Sequence, residues 1–354
     1  MGAGTTDVGS ALGAKLRAVL DELALDLHGR VVLTEAATGP YVVTALLAAL
    51  AGAEVYAYAR DTAYGTATQA IDATRAAGEG LAAARDITYL QELTPDVVAR
   101  ADVITNSGQL RPLDESLLRH AKDSLVIPLM FEAWEWREGD LDLDYARSRG
   151  MTVGATNERH PAVDVFGYLG DMALRQVLDS GTTPYRNRFV LLTNNDFGPY
   201  IARVLGTVGA GLAVVAPDDQ RGAYAGLPGV DWVGGFPEVR LPAEYRDAEA
   251  VVFTAYPFDR TWIGKDGPVD VAALAAALTH PRVLRYAGDV DVRALEAHGV
   301  GYFPREVPSG HMGVLPSAVG LDPVIRLQAG GLKAAEAMLT GEHLHAGVPV
   351  VELL

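Results

Sequence analysis

Residues Arg188 to Asp219 read RFVLLTNNDFGPYIARVLGTVGAGLAVVAPDD. Arg188 to Thr193 is a short apolar run of the kind a buried strand carries. Asn194, Asn195, Asp196, Gly198 and Pro199 make a polar turn, and a helical run follows to about Thr207. A second apolar run, Leu212 to Ala216, ends at Asp218 and Asp219. Strand, turn, helix, strand and acid is the order of a dinucleotide-binding βαβ unit.

The chain echoes this stretch earlier. RVVLTEAATGPYVVTALLAALAG, from Arg30, shares with it Leu-Thr before the turn and Gly-Pro-Tyr after it, and Gly39 and Gly198 stand 198 − 39 = 159 positions apart. Two such units at one offset point to two Rossmann-like halves. Between and after them the pattern alternates: Glu54 to Ala59, Asp102 to Thr105, Ser124 to Met130 and Met151 to Gly154 read as strands separated by helical runs. Further strands are read near Val230 to Val233, Ala250 to Thr254, Val283 to Ala287 and Val300 to Phe303. Leu113 to Ala121 and His160 to Ser180 are read as helices, the second starting near Pro161, and Asp322 to Leu339 as the last helix. The expected class is α/β, with two doubly wound parallel-sheet domains and a cleft between them. The first domain is expected over 1–157 together with 320–354, and the dinucleotide-binding-like domain over 158–319.

Composition narrows the partners. The 354 residues carry 49% hydrophobic and 21% charged side chains, which is ordinary for a globular chain and long enough for two cores. A net charge of -16 with no Lys/Arg-rich run argues against a nucleic-acid or anionic-membrane partner. With no cysteine there is no disulfide, thiolate metal site or cysteine nucleophile. No basic segment followed by an apolar block opens the chain, and no apolar run reaches the length of a membrane span, so a cytoplasmic setting is expected.

From about Asp102 onward the order of segments resembles the D-isomer-specific 2-hydroxyacid dehydrogenases, the formate and glycerate dehydrogenase group. GDLDLDYARSRGMTVGATNE, PVDVAALAAALTHPRVLRYAGDVD and VPSGHMGVLPSAVG carry that likeness, while YVVTALLAALAGAEVYAYARDTAYGTATQAI is closer to S-adenosylhomocysteine hydrolase. The resemblance implies NAD or NADP, a small polar substrate, no metal and a homodimer. In that family the cofactor turn is G-x-G-x-x-G; here the three positions are Asp196, Gly198 and Ile201. Asn195, Gly198, Pro199, Tyr200, Thr254 and the acid Asp218 are the cofactor-binding candidates. Asp218 reads equally as a solvated carboxylate at a strand end.

The family's catalytic Arg, Glu and His are matched only in part. His311, between Gly310 and Met312, falls at the His position and could pass a proton. Where the family has Asn-Thr-Ala-Arg this chain has Phe253-Thr254-Ala255-Tyr256, so Tyr256, or Arg260 from a longer loop, is the candidate to hold a substrate oxygen. Asp289 lies in the Glu region, one carbon shorter. Asn106, Ser107 and Gly108 resemble the family's loop that binds a substrate carboxylate through backbone amides. Glu132 and Trp134, with Glu135, sit at another strand end, where carboxylates could recognise an amine or act as a base. Two readings stay open. One is an NAD(P)-dependent oxidoreductase of the 2-hydroxyacid dehydrogenase type. The other is a dehydrogenase-derived enzyme that has lost redox function, or that keeps NAD bound without net redox change.

Overall fold

The computed structural model describes residues 5–63, 65–342 and 349–354. It divides into two compact units, one formed by Met1–Val165 with Gly320–Leu354 and one by Phe166–Val319. The first unit opens with helix α1 (Thr5–Leu23) and then alternates β1 (Val31–Glu35), α2 (Val43–Leu50), β2 (Glu54–Tyr58), α3 (Ala67–Ala77), β3 (Thr88–Leu90) and α4 (Pro95–Arg100). It continues with β4 (Val103–Ile104), α5 (Glu115–Leu118), β5 (Val126–Pro128), α6 (Leu143–Ser148) and β6 (Thr152–Thr156).

The second unit runs α7 (Leu169–Asp179), β7 (Arg188–Thr193), α8 (Phe197–Thr207), β8 (Gly211–Val215), β9 (Val230–Trp232), β10 (Ala250–Thr254) and β11 (Thr261–Ile263). It ends with α9 (Val271–Ala277), β12 (Arg282–Ala287), β13 (Asp289–Val290), α10 (Val292–Ala297) and β14 (Gly301–Phe303). Helix α11 (Asp322–Thr340) and strand β15 (Val351–Leu353) then return to the first unit.

Both main sheets have one topology. In the first unit the order is β15-β6-β5-β4-β1-β2-β3, parallel but for β15, which pairs antiparallel with β6. In the second it is β14-β12-β10-β7-β8-β9, all parallel. Numbered within each unit, both read 3-2-1-4-5-6, the strand order of a dinucleotide-binding sheet. The order reverses between β1 and β4 in one and between β7 and β10 in the other, and a crevice at the carboxyl ends of those strands is where open α/β sheets place ligands.

The hydrophobic pattern explains the layering. Val190, Leu191 and Leu192 on β7 are fully buried, as strands covered on both faces must be. Apolar side chains pack on each face of each sheet: α1, α2 and α11 cover one face of the first sheet, and α7 and α8 one face of the second. Ile201, on the inner face of α8, is fully buried. The close approach that a third glycine would give is found instead at Gly206, where a Cβ would collide with the Pro228 carbonyl. Helix starts follow local chemistry: Thr66 and Gln69 form a capping box on α3, and Asp270 and Asp291 cap α9 and α10.

Two helices are shorter than the sequence pattern suggests. The run from His160 is not helical until a 3₁₀ turn at Phe166–Tyr168 leads into α7. Asp164 takes a left-handed φ of 42°, and the Val165 N–H turns back to the Glu158 carbonyl at 3.0 Å, closing a loop. Helix α5 is a single turn capped by Asp114. Among the described residues no helix is long and apolar enough to cross a membrane.

Candidate functional site

The turn after β7 is the expected cofactor site, and its hydrogen bonds show how its groups are used. Asn195 Oδ1 accepts the N–H of Phe197, the first residue of α8, at 3.1 Å, and its Nδ2 donates to Thr254 Oγ1 on β10 at 3.0 Å. Asn194 brackets the main chain of Tyr256, accepting its N–H at 2.8 Å and donating to its carbonyl at 3.1 Å. Together the two asparagines tie the ends of β7 and β10 at the point where the sheet order reverses. Of the first helical amides, Phe197 is taken, Gly198 faces the Asn195 carbonyl at 3.4 Å, and Pro199 has none. Tyr200 packs edge-on against Phe166.

A dinucleotide asks this turn for free amides, a bare middle glycine and an acid after the second strand. Gly198 is not bare: a Cβ there would run into the Tyr224 hydroxyl, brought in by a 3₁₀ helix, Asp218–Tyr224. That hydroxyl lies beside Thr193, and burial pushes its pKa far up. Asp196 is exposed at the helix start, a negative charge where phosphate would lie. Asp218 is exposed just past β8, its carboxylate 3.4 Å from the Gly235 N–H. The residues present supply the acid but neither the amides nor the open glycine, so they do not fit a pyrophosphate held in the fingerprint manner.

The catalytic candidates of this unit lie on neighbouring loops at the ends of β10 and β12. Asp289 is buried and fully engaged: it pairs with Arg285, accepts the Ser309 hydroxyl, and accepts the Gly310 N–H at 3.1 Å. Arg285, also buried, donates to the carbonyls of Gly288 (2.9 Å), Val307 (3.1 Å) and Pro308 (3.2 Å). This pair therefore anchors the 307–311 loop. His311 is exposed, with Nδ1 3.0 Å from the Ser309 carbonyl, so the loop backbone orients its ring rather than Asp289. Arg260 stacks over the Trp262 ring at 4.5 Å, and Tyr256 is exposed on the loop that Asn194 holds.

A different grouping forms at the strand ends of the first unit. Glu35 closes β1 and is buried, with Oε2 accepting the Gln109 N–H at 3.1 Å. The loop amide expected to meet a substrate carboxylate therefore meets one of the protein's own. Thr34, Thr105 and Ser107 hydroxyls form a buried chain at 2.8 and 3.0 Å. Gly108 is exposed beside it. Arg111 donates to Asn106 Oδ1 and to the Asn106 carbonyl, both at 2.9 Å, and pairs with Asp140 at 3.2 Å. Glu132, buried after β5, accepts the Trp134 indole N–H and lies 3.7 Å from Arg159. Glu135 and Glu158 are half-buried.

The electrostatics single out this edge. Burial pushes Glu35 up to about 7 against the pull of the Gln109 amide and Arg111. Glu135 is also pushed up to about 7, by burial and by the charge of Glu132. Burial and the charges of Glu135 and Glu132 raise Glu158 well above the carboxylate range, and burial raises Glu132. Tyr41 is raised by burial and by the charges of Glu35, Glu135 and Glu158, so these groups share one electrostatic neighbourhood. Carboxylates with such values at the ends of parallel strands are where function is expected.

No protein-family model and no curated protein matches the chain. Solved structures do. A dipicolinate synthase structure from Bacillus subtilis aligns at 14% identity over 90% of this chain and 99% of that one, with a TM-score of 0.58. A dipicolinate synthase structure from Bacillus halodurans aligns at 15% identity over 89% and 98%, with a TM-score of 0.54. TP0037 from Treponema pallidum, a D-lactate dehydrogenase, aligns at 11% identity over 92% and 100%, with a TM-score of 0.53. The chain shares their fold. It is a fold of two Rossmann-like units, as the order of strands and helices along the chain suggests.

Asn106, Ser107, Glu132, Trp134 and Glu135 are the sequence candidates that lie at the strand ends of this unit, while Glu35, Arg111 and Tyr41 carry no sequence motif that marks them. The signal for Glu35 was its place directly after Leu33-Thr34, at the end of the strand that begins the repeat. Two outcomes follow. Asp289→Ala leaves Arg285 buried without its partner, and is expected to cost about 3–5 kcal/mol in urea unfolding and to open the 307–311 loop to protease. Glu35 is raised above the 4.5 of an unperturbed carboxyl, so the stability it lends is complete below that pH and is lost as pH rises through about 7. Glu35→Gln should therefore flatten the fall in unfolding free energy over that window and leave the variant on the order of 2 kcal/mol more stable at pH 8.

Proposed function

We propose that the chain is a dehydrogenase-derived enzyme that acts on a small polar substrate by proton transfer at the strand ends of its first unit. The observation that carries this reading is the group of raised glutamates at these strand ends, with Glu135 pushed up to about 7 by burial and by the charge of Glu132. A carboxyl near 7 is present in both protonation states at working pH, so it can take a proton and return it. Glu135 is the acid/base in this reading. Glu132 is held beside it by the Trp134 indole N–H and by Arg159. Buried Asn106 and Ser107 supply fixed polar groups for orienting the substrate.

Hydrogen–deuterium exchange tests this without a known substrate. In deuterated buffer and with no nucleotide added, the chain should wash deuterium into the carbon next to a carboxylate in at least one member of a panel of 2-amino, 2-hydroxy and 2-oxo acids, followed by proton NMR. Glu135→Gln should slow that exchange roughly a hundredfold or more. Exchange that is unchanged in Glu135→Gln would rule the assignment out.

An NAD(P)-dependent oxidoreductase of the 2-hydroxyacid dehydrogenase type is the second reading. The strand order of the second unit and the acid Asp218 beyond β8 favour it. His311 would be its proton donor, with Tyr256 or Arg260 at the substrate oxygen. A homodimer and a cytoplasmic setting belong to it by resemblance. It requires the nucleotide to displace Asn195 from the Phe197 amide. NADH fluorescence decides: saturable binding below millimolar cofactor that Asp218→Ala weakens supports this reading, and no binding at millimolar NADH removes it.

A further inference from the structure

In the second unit the loop from Gly264 to Asp270, running into α9, and helix α10 wall a cleft of about 550 Å³. It shares no residue with the turn after β7 or with the loop of His311. Two glycines shape the first wall. At Gly264 a Cβ would press on the Asp291 Cβ at 2.6 Å, so the loop lies directly on the start of α10. At Gly267 a Cβ would collide with the Trp262 carbonyl, to which the Val269 N–H also returns at 3.0 Å. The Asp291 N–H bonds the Ile263 carbonyl at 2.8 Å, continuing the pairing of β11 with β13. Main-chain contacts thus join the two walls, and the cleft is preformed.

Its charges are arranged for an anion. Lys265 on the loop and Arg293 on α10 line the cleft, one from each wall. Acids are in excess in a chain of net charge -16, yet among the described residues neither cation has a carboxylate partner. The acids that line the cleft are engaged elsewhere. Asp270 Oδ1 accepts the Ala272 N–H at 2.8 Å and the Ala273 N–H at 3.4 Å, and Asp291 Oδ1 accepts the Ala294 N–H at 3.0 Å. These caps also occupy helix amides, so an anion here is met by side chains. His298 Nδ1 donates to the Ala294 carbonyl at 2.9 Å, which can only accept, and leaves Nε2 for a ligand. An ammonium on one wall and a guanidinium fork on the other suit the tetrahedral oxygens of a phosphate better than the two coplanar oxygens of a carboxylate. A neutral Nε2 accepts from the P–OH that a phosphate monoester keeps in part near neutral pH. Val271, Ala272 and Ala297 complete the lining with small apolar side chains, and the volume leaves room for an organic body beside the phosphate.

We infer that this cleft binds a phosphate monoester of a small organic molecule, its phosphate between Lys265 and Arg293 and its carbon body against Val271, Ala272 and Ala297. The inference does not rest on the proton-transfer reading of the first unit. Isothermal titration of the full chain with inorganic phosphate, glycerol phosphate, glucose phosphate and adenosine monophosphate, each ester beside its parent alcohol, is the test. At least one ester should bind roughly tenfold or more tighter than inorganic phosphate, and its parent alcohol should not bind. Lys265 and Arg293 are exposed, so Lys265→Gln and Arg293→Gln should keep the melting temperature and each weaken that ester about tenfold. Ala297→Leu, which fills the cleft, should weaken the ester and leave inorganic phosphate unaffected. No binding by any ester, binding indifferent to both charge variants, equal binding of inorganic phosphate and every ester, or equal binding of glycerate and glycerol phosphate would each overturn it.

Discussion

The first amides of a helix are a limited resource: they bind either a ligand or the protein's own capping group. In the second unit that choice falls to Asn195, whose side-chain amide accepts the first N–H of α8 and reaches Thr254 on β10. Much else at the turn follows from it. With the amides occupied, nothing requires Gly198 to stay open, and the Tyr224 hydroxyl packs on it. With Asn194 holding the main chain of Tyr256, the ends of β7 and β10 are fixed to each other. The sheet keeps the strand order of a nucleotide-binding unit, while the side chains at its reversal point bond among themselves.

The first unit has the same strand order and meets its reversal point differently. Glu35 at the end of β1 reaches the Gln109 amide beyond β4, as a bound carboxylate would. Carboxylates are expensive to bury, and here four of them lie at one sheet edge with too few cations to match. Their proton affinities rise in response. A fold gains nothing in stability from such an arrangement, which is why the chemistry of the protein is better sought there than at the loop of His311, whose buried Arg285–Asp289 pair has its hydrogen bonds met.

The architecture was legible in the sequence because it rests on local signals. Apolar runs of strand length, turn residues between them and the echo of Gly39 in Gly198 are all read along the chain. Failures came where contacts distant in sequence decide. Asp164 breaks the helix expected from His160 through a loop closed on Glu158, which no periodicity reveals. Glu35 reads along the chain only as the first residue of a turn, and its meeting with Gln109, 74 positions away, is what marks it. Arg285 lies inside an apolar run, and its role shows only once the 307–311 loop folds over it. Asn195 could be named as a turn residue, but its hold on Thr254 requires β7 and β10 to be neighbours.

Glu35 on the Gln109 amide is also a tethered competitor. A carboxylate joined to the loop by the fold itself is present at a high effective concentration, so any free acid seeking that amide is outbid unless it brings other contacts. As pH falls through about 7 the competitor takes up a proton, and its grip on the amide loosens. The edge thus grades its visitors by what else they carry and by the acidity around them, with no moving part beyond one proton.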